Sequence, residues 1–200
     1  MNDVIAGRYD LAGVLGSGAE TIVFRARDLL TGDEVAVKVF RASALQNLAA
    51  VKAFQRDLAV LRDKAHPNVV RVFDFGETDG GFYTVVELMH GAPLSRHITG
   101  RRWSHEAALE LLEQVSSALA WLHSHEVVHG DIRTANIVWN DGIIKLMDFG
   151  PQRDSRQATA ASDLYSAAAV IYDLVAGEPS HAAVNRVERV TSLAPGARVA

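Results

Sequence analysis

His129-Gly130-Asp131-Ile132-Arg133-Thr134-Ala135-Asn136, then Ile137 to Met147, then Asp148-Phe149-Gly150, is the stretch on which the fold turns. Two short apolar runs, Ile137 to Trp139 and Ile143 to Met147, flank the turn formers Asn140-Asp141-Gly142, so a small hairpin is expected. Asp131 and Asn136 bracket the loop before it, and Asp148 closes it. Three oxygen-bearing side chains thus gather in one region. Hard Mg²⁺ takes such oxygen groups and keeps its other positions for phosphate and water. Taken alone, the stretch is also open to reading as solvated turn residues, because Asn and Asp are common in turns.

Upstream, Ser104 is a candidate N-cap for a helix carrying Ala108, Leu111, Leu112, Val115, Leu119 and Leu122 at helical spacing. Before it the chain reads mostly as strands. Tyr9 to Leu15 alternates weakly, and Thr21 to Arg27 alternates clearly, with Ile22, Phe24 and Ala26 on one face. Thr31-Gly32-Asp33 turns the chain into Val35 to Phe40. A helix is expected between Ser43 and Lys64, broken at His66-Pro67-Asn68. Val69 to Phe75 and Phe82 to Leu88 read as two more strands around Asp79-Gly80-Gly81. A last helix is expected from about Asp163 to Val175, ending at Gly177 and Pro179.

Within Val35 to Phe40, Lys38 interrupts an apolar run, and lysine is rarely buried without a partner. Alternation puts Ala36 and Lys38 on one strand face. A small residue over a flat ring and a cation over its phosphates would use that geometry; an edge strand with a solvated lysine is the bland alternative. Gly16 and Gly18 lie between two strands, where backbone N–H groups can approach phosphate oxygens, although a plain hairpin turn also fits.

The ordered set Gly16-Ser17-Gly18, Val35-Ala36-Val37-Lys38, His129-Gly130-Asp131 with Asn136, and Asp148-Phe149-Gly150 resembles the eukaryotic-like (Hanks-type) Ser/Thr protein kinases of bacteria, from about Tyr9 to Pro179. The resemblance implies an α+β, two-lobed kinase-like fold in a single domain over residues 1–200. The N-lobe would cover about 1–89, a truncated C-lobe about 90–180 and a tail 181–200. It implies ATP and Mg²⁺, and roles at matching positions. Gly16 and Gly18 would cover the phosphates and Lys38 would contact them. Asp131 would orient the substrate hydroxyl and take its proton, with Arg133 in place of the usual loop lysine. Asn136 and Asp148 would hold Mg²⁺. Glu87 and Met89 would be the hinge whose backbone reads adenine, Val23, Ala36 and Val138 would sandwich the ring, and Asp163 would brace the catalytic loop.

The chain departs from the family pattern at several positions. Thr21 replaces the third glycine. Asp57 stands where the family uses Glu to pair with the lysine, and an ion pair between Asp57 and Lys38 is expected. Gly130 replaces the Arg before the catalytic Asp. The activation segment, Gly150 to Ser162, is too short for a peptide-docking strand, and no Ala-Pro-Glu stretch appears. Control by activation-loop phosphorylation, at Ser155 or Thr159, is therefore not expected. On the last helix Leu164, Ala168, Ile171 and Val175 form one apolar stripe, and Ala167, Val170 and Leu174 widen it. That pattern predicts an exposed patch or a homo-oligomer interface, with Val184, Val187, Val190 and Leu193 of the tail as a weak amphipathic cover.

Composition bounds the alternatives. The chain has 200 residues, a net charge of -4 and no cysteine, which argues against nucleic-acid binding by bulk charge and excludes disulfides and thiolate chemistry. No run is long enough to span a bilayer, and the N-terminus lacks signal-peptide features, so a cytoplasmic protein is expected. His123, His125 and His129 suit a helix end and a loop better than a zinc site. Arg101-Arg102 beside Trp103, and Arg153 and Arg156, read as solvated. The leading expectation is a compact protein kinase acting on a protein substrate. A pseudokinase working as a scaffold or with a regulatory partner is the second. A small-molecule phosphotransferase, resembling aminoglycoside and choline kinases through His-Gly-Asp, is the third.

Overall fold

A computed structural model describes residues 4–78, 81–98, 102–151 and 158–177. The N-terminal half is one antiparallel sheet: β1 (Val4–Ile5), β2 (Tyr9–Ser17), β3 (Thr21–Asp28), β4 (Glu34–Arg41), β5 (Val72–Thr78) and β6 (Gly81–Glu87), in the order β1-β2-β3-β4-β6-β5. Helix α1 (Leu48–Asp63) packs on one face. Alternation along β4 sorts the side chains. Val35, Val37 and Val39 join Tyr9, Ala26, Tyr83 and Val85 in a small core on the outer face. Ala36, Lys38 and Phe40 face inward, where Phe40 packs with Phe54 of α1 and Phe82. The sheet curls enough for the Tyr9 hydroxyl on β2 to donate to Asp74 Oδ2 on β5 at 2.8 Å, closing the outer core.

The expected helix from Ser43 is divided. Ala42–Leu45 forms a single 3-10 turn, and Asn47 then caps α1, its side chain accepting from Ala50 N at 3.1 Å. A cap restarts the helix, so Leu48 falls outside the buried stripe of Ala50, Phe54, Leu58 and Leu61. The strand expected from Val69 begins at Val72. Residues 68–70 instead cross to the second lobe: Leu146 N donates to Asn68 O (2.8 Å), and Val70 N donates to Leu146 O (2.9 Å). The turn at Asp79-Gly80 lies outside the described residues.

The second lobe holds β7 (Ala92–Pro93), α2 (His105–Ser124), β8 (Ile137–Asn140), β9 (Ile143–Leu146) and α3 (Ala160–Ala176). Ser104 Oγ accepts from Ala107 N at 3.2 Å and starts α2. Thr159 and Ser162 cap α3 reciprocally, and Gly177 ends it at φ 73°, in the left-handed region. One apolar core runs through both lobes, from Phe54 and Leu58 through Val69 and Leu146 to Leu119, Leu122 and Leu174. On α3, Asp163, Ala167, Val170 and Leu174 face that core, while Leu164 (55% exposed), Tyr165 (77%) and Tyr172 (49%) face outward. The tail segment from Val184 to Leu193 lies outside the described residues. Among the described residues no helix is long and apolar enough to cross a membrane.

At the far end of the sheet Arg8 donates Nε and Nη2 to the two oxygens of Asp28 (2.8 and 2.6 Å), and Leu30 N adds a third bond. Chiefly through the Arg8 bonds, Asp28 is held at about 2, below its ordinary 3.8. Below pH 4 the unfolded chain therefore takes up this proton first. The contribution of the pair is complete above that pH and disappears as pH falls through about 2. Urea unfolding at pH 5 and pH 3 should show Asp28→Asn losing less stability over that interval than the wild type. Equal losses would mean that the pair contributes nothing to acid sensitivity.

Candidate active site

A cavity of about 370 Å³ opens between the lobes. Its roof is Val23 on β3 and Ala36 on β4, with Leu15 and Gly16 at the lip. Its edge is Glu87, Leu88 and Met89, and its floor is Val138 and Met147. Lys38, Asp148 and Phe149 form the inner end. A Cβ at Gly16 would meet nothing within 4 Å, so no packing contact demands glycine there. Gly91, where the connecting strip enters the second lobe, is different. At φ 106° its Cβ would lie 2.4 Å from Trp139 O, so only glycine fits.

Lys38 Nζ donates to Asp148 Oδ1 and, at 3.4 Å, to Phe149 O. The expected pair with Asp57 is not formed. Asp57 Oδ1 accepts from Arg56 Nη2 at 3.4 Å, and the residue lines a separate hollow with Phe54, Gly150 and Pro151. The shorter Asp arm and the prior claim of Asp148 on the ammonium account for this. Gly18 closes the glycine turn, donating N–H to Thr21 O at 2.8 Å, and does not line the cavity.

The loop before β8 is built on a buried carboxylate. Asp163, 1% exposed, accepts from His129 N (2.8 Å) and Gly130 N (2.7 Å), and lies 2.9 Å from His123 Nε2. The His129 ring packs against Phe149 with centroids 4.7 Å apart and planes tilted by 49°, with Nε2 at 3.0 Å from Met147 O and Nδ1 accepting from Asp131 N. These bonds place the proton on Nε2. Asp131 is held from the other side, because Asn136 Nδ2 donates to its main-chain O (2.9 Å) and its Oδ2 (2.7 Å). Arg133 Nε lies 3.4 Å from Asp131 Oδ2, with both side chains more than half exposed, so this pair is weak.

One cavity thus gathers Gly16, Val23, Ala36, Lys38, Glu87, Met89, Val138 and Asp148. Asp131, Arg133 and Asn136 form a second group in the neighbouring loop, and Asp57 belongs to neither. Sequence reasoning missed Thr84, a lining residue directly opposite Lys38 in the β4–β6 register. Its identity carries no signal until that register is known. It also missed the Glu87 carboxylate, which binds Lys145 Nζ at 2.5 Å.

The two lobes, the cleft and the braced loop are those of a protein kinase. Residues 9–157 match the protein kinase domain family. The chain is 31% identical over 200 aligned positions to serine/threonine-protein kinase PrkC of Bacillus subtilis, covering 86% of this chain and 31% of that protein. It is 35% identical over 213 aligned positions to the probable serine/threonine-protein kinase CE0033 of Corynebacterium efficiens, covering 90% and 32%. It thus spans about a third of the length of these relatives. The crystal structure of the Mycobacterium tuberculosis PknI kinase domain superposes with a TM-score of 0.79 at 25% identity, over 89% of this chain and 77% of that one. The chain belongs to the Hanks-type protein kinase family of bacteria.

Asp163→Ala would leave two main-chain donors, the buried His129 N–H and the part-buried Gly130 N–H, without their acceptor. At about 1–3 kcal/mol for each, the loss should exceed roughly 2 kcal/mol in urea unfolding. A loss below about 0.5 kcal/mol, the level of an ordinary surface change, would show that the loop does not depend on this carboxylate.

Proposed function

We propose that this chain transfers a phosphoryl group from Mg²⁺-ATP to a Ser or Thr hydroxyl of a protein substrate. The observation that carries the reading is the convergence of Lys38, Asp148 and the strip 87–89 on one apolar cleft of ring-holding size. The residues suit the group. The cleft is apolar between Val23, Ala36 and Val138, with main-chain donors and acceptors at its edge, as a purine requires. Asp148 offers a carboxylate, and Asn136, whose Nδ2 is engaged by Asp131, offers its amide oxygen. One carboxylate and one amide oxygen suit a Mg²⁺ whose other positions go to phosphate and water.

Mg²⁺-ATP supplies the transferable group and the positive charge that offsets its oxygens. The chain supplies position. Lys38, bonded to Asp148 in this structure, would hold phosphate oxygens of the bound nucleotide. Asn136 and Asp148 would hold the metal. Asp131, fixed by Asn136 and half exposed, orients the incoming hydroxyl and accepts its proton. A nucleotide-binding scaffold is the second reading. The observation favouring it is that Asp57 does not reach Lys38, so the family's lysine–acid pair is missing.

ATP at about a hundredfold over its Kd should stabilise the chain by roughly 2.7 kcal/mol, a rise of about 5–10 °C in unfolding temperature. The rise should need Mg²⁺ and be lost in Asp148→Ala. No rise at millimolar ATP would sink the enzyme reading. With γ-labelled ATP and dephosphorylated casein, Asp131→Asn should keep the thermal shift and lose roughly a hundredfold or more in transfer. Wild-type chain that binds nucleotide but transfers nothing to casein or to itself would favour the scaffold.

A further inference from the structure

The nucleotide cleft has a floor in one lobe and a reading edge at the junction of the two, and the distance between them sets where a purine ring can lie. Val138 on β8 is the floor. Glu87 ends β6 and opens the strip 87–89 along the edge. Val138 pairs directly with Lys145 on β9, so both side chains leave the hairpin on the same face. Lys145 reaches from there to Glu87, with Nζ at 2.5 Å from Oε1. The same carboxylate oxygen accepts from Arg71 N at 2.8 Å, and Glu87 N donates back to Arg71 O at 3.0 Å.

We propose, building on the nucleotide-site reading above, that Lys145 is a positioning residue. It fixes Glu87, and through it the backbone of residues 87–89, at a set distance from the floor at Val138. Three observations support the assignment. The carboxylate is already ordered by a main-chain N–H, so the lysine meets a fixed acceptor instead of a mobile one. Both side chains are only 26% exposed, which reduces the solvent screening that makes surface pairs weak. The pair also joins the two elements that a bound ring would touch on different sides. Beyond Glu87 the strip runs to Gly91, whose left-handed backbone provides no stiffness of its own. Among the described residues neither side chain bonds to Lys38, Asp148 or the Asp131 loop, so the effect belongs to ring placement and not to the transfer step.

The test is titration of the full chain with Mg²⁺ and AMP-PNP, beside ATP and GTP competition. Lys145→Met should weaken AMP-PNP binding roughly fivefold to tenfold and narrow the preference for ATP over GTP. Lys145→Arg should restore both to within about twofold. Glu87→Gln should weaken binding similarly, and the double variant should be no worse than either single one, as coupling through one contact requires. The nucleotide-free unfolding temperature of Lys145→Met should stay within about 4 °C of wild type. A general structural role would move that temperature and leave the ATP-to-GTP ratio alone. Wild-type binding with unchanged affinity and ratio in Lys145→Met, or additive losses in the double variant, would overturn the inference alone. A wild-type chain that binds no nucleotide would overturn the functional reading and the inference with it.

Discussion

An ammonium group on the inward face of an apolar strand must find a negative partner or lose its charge, and this constraint organises the molecule. Lys38 sits between Val37 and Val39 on β4, with its side chain 14% exposed. Its partner, Asp148, comes from the other lobe, 110 residues later. The sheet therefore cannot satisfy its own buried charge. It has to close against the β8–β9 hairpin, and the crossing of residues 68–70 onto Leu146 brings that hairpin to the right height. The cleft is the space left between the two surfaces so joined.

A second buried charge works on the loop. Asp163 gathers main-chain donors from His129 and Gly130, so the residues before Asp131 are held from below while Asn136 holds Asp131 from the side. Gly130 has φ 75°, a left-handed conformation that glycine adopts without strain. Replacing the family's arginine by glycine thus costs the loop no order. Among the described residues the loop is held by the chain's own buried acid.

Much of the fold was legible because it rests on local chemistry. The alternation of β3 and β4, the Ser104 cap, the Asn140-Asp141-Gly142 turn and the Gly177 stop each follow from residues a few positions apart. The residues around the cleft were legible as an ordered set of motifs, since each element carries its own residue type. What stayed hidden depends on partners distant in sequence. Thr84 became a lining residue only through its pairing opposite Lys38. Asp57 lost the lysine to Asp148 because two acids compete for one ammonium, and sequence spacing cannot rank them. The break before α1 was missed because the apolar periodicity continues across Asn47, while a capping side chain restarts the helix.

The bond from Tyr9 to Asp74 bears on how the chain is made. It joins β2 to β5 across 65 residues, and the outer core of Tyr9, Val35, Val37 and Val85 has no cover until β6 is in place. During synthesis at about 5–20 residues per second, the first hairpin therefore waits for some seconds with one apolar face open. The outer core of the N-terminal lobe is complete only once Tyr83 and Val85 of β6 have been made. A ribosome that pauses within the first seventy residues leaves the outer face of the sheet without the strand that completes its core.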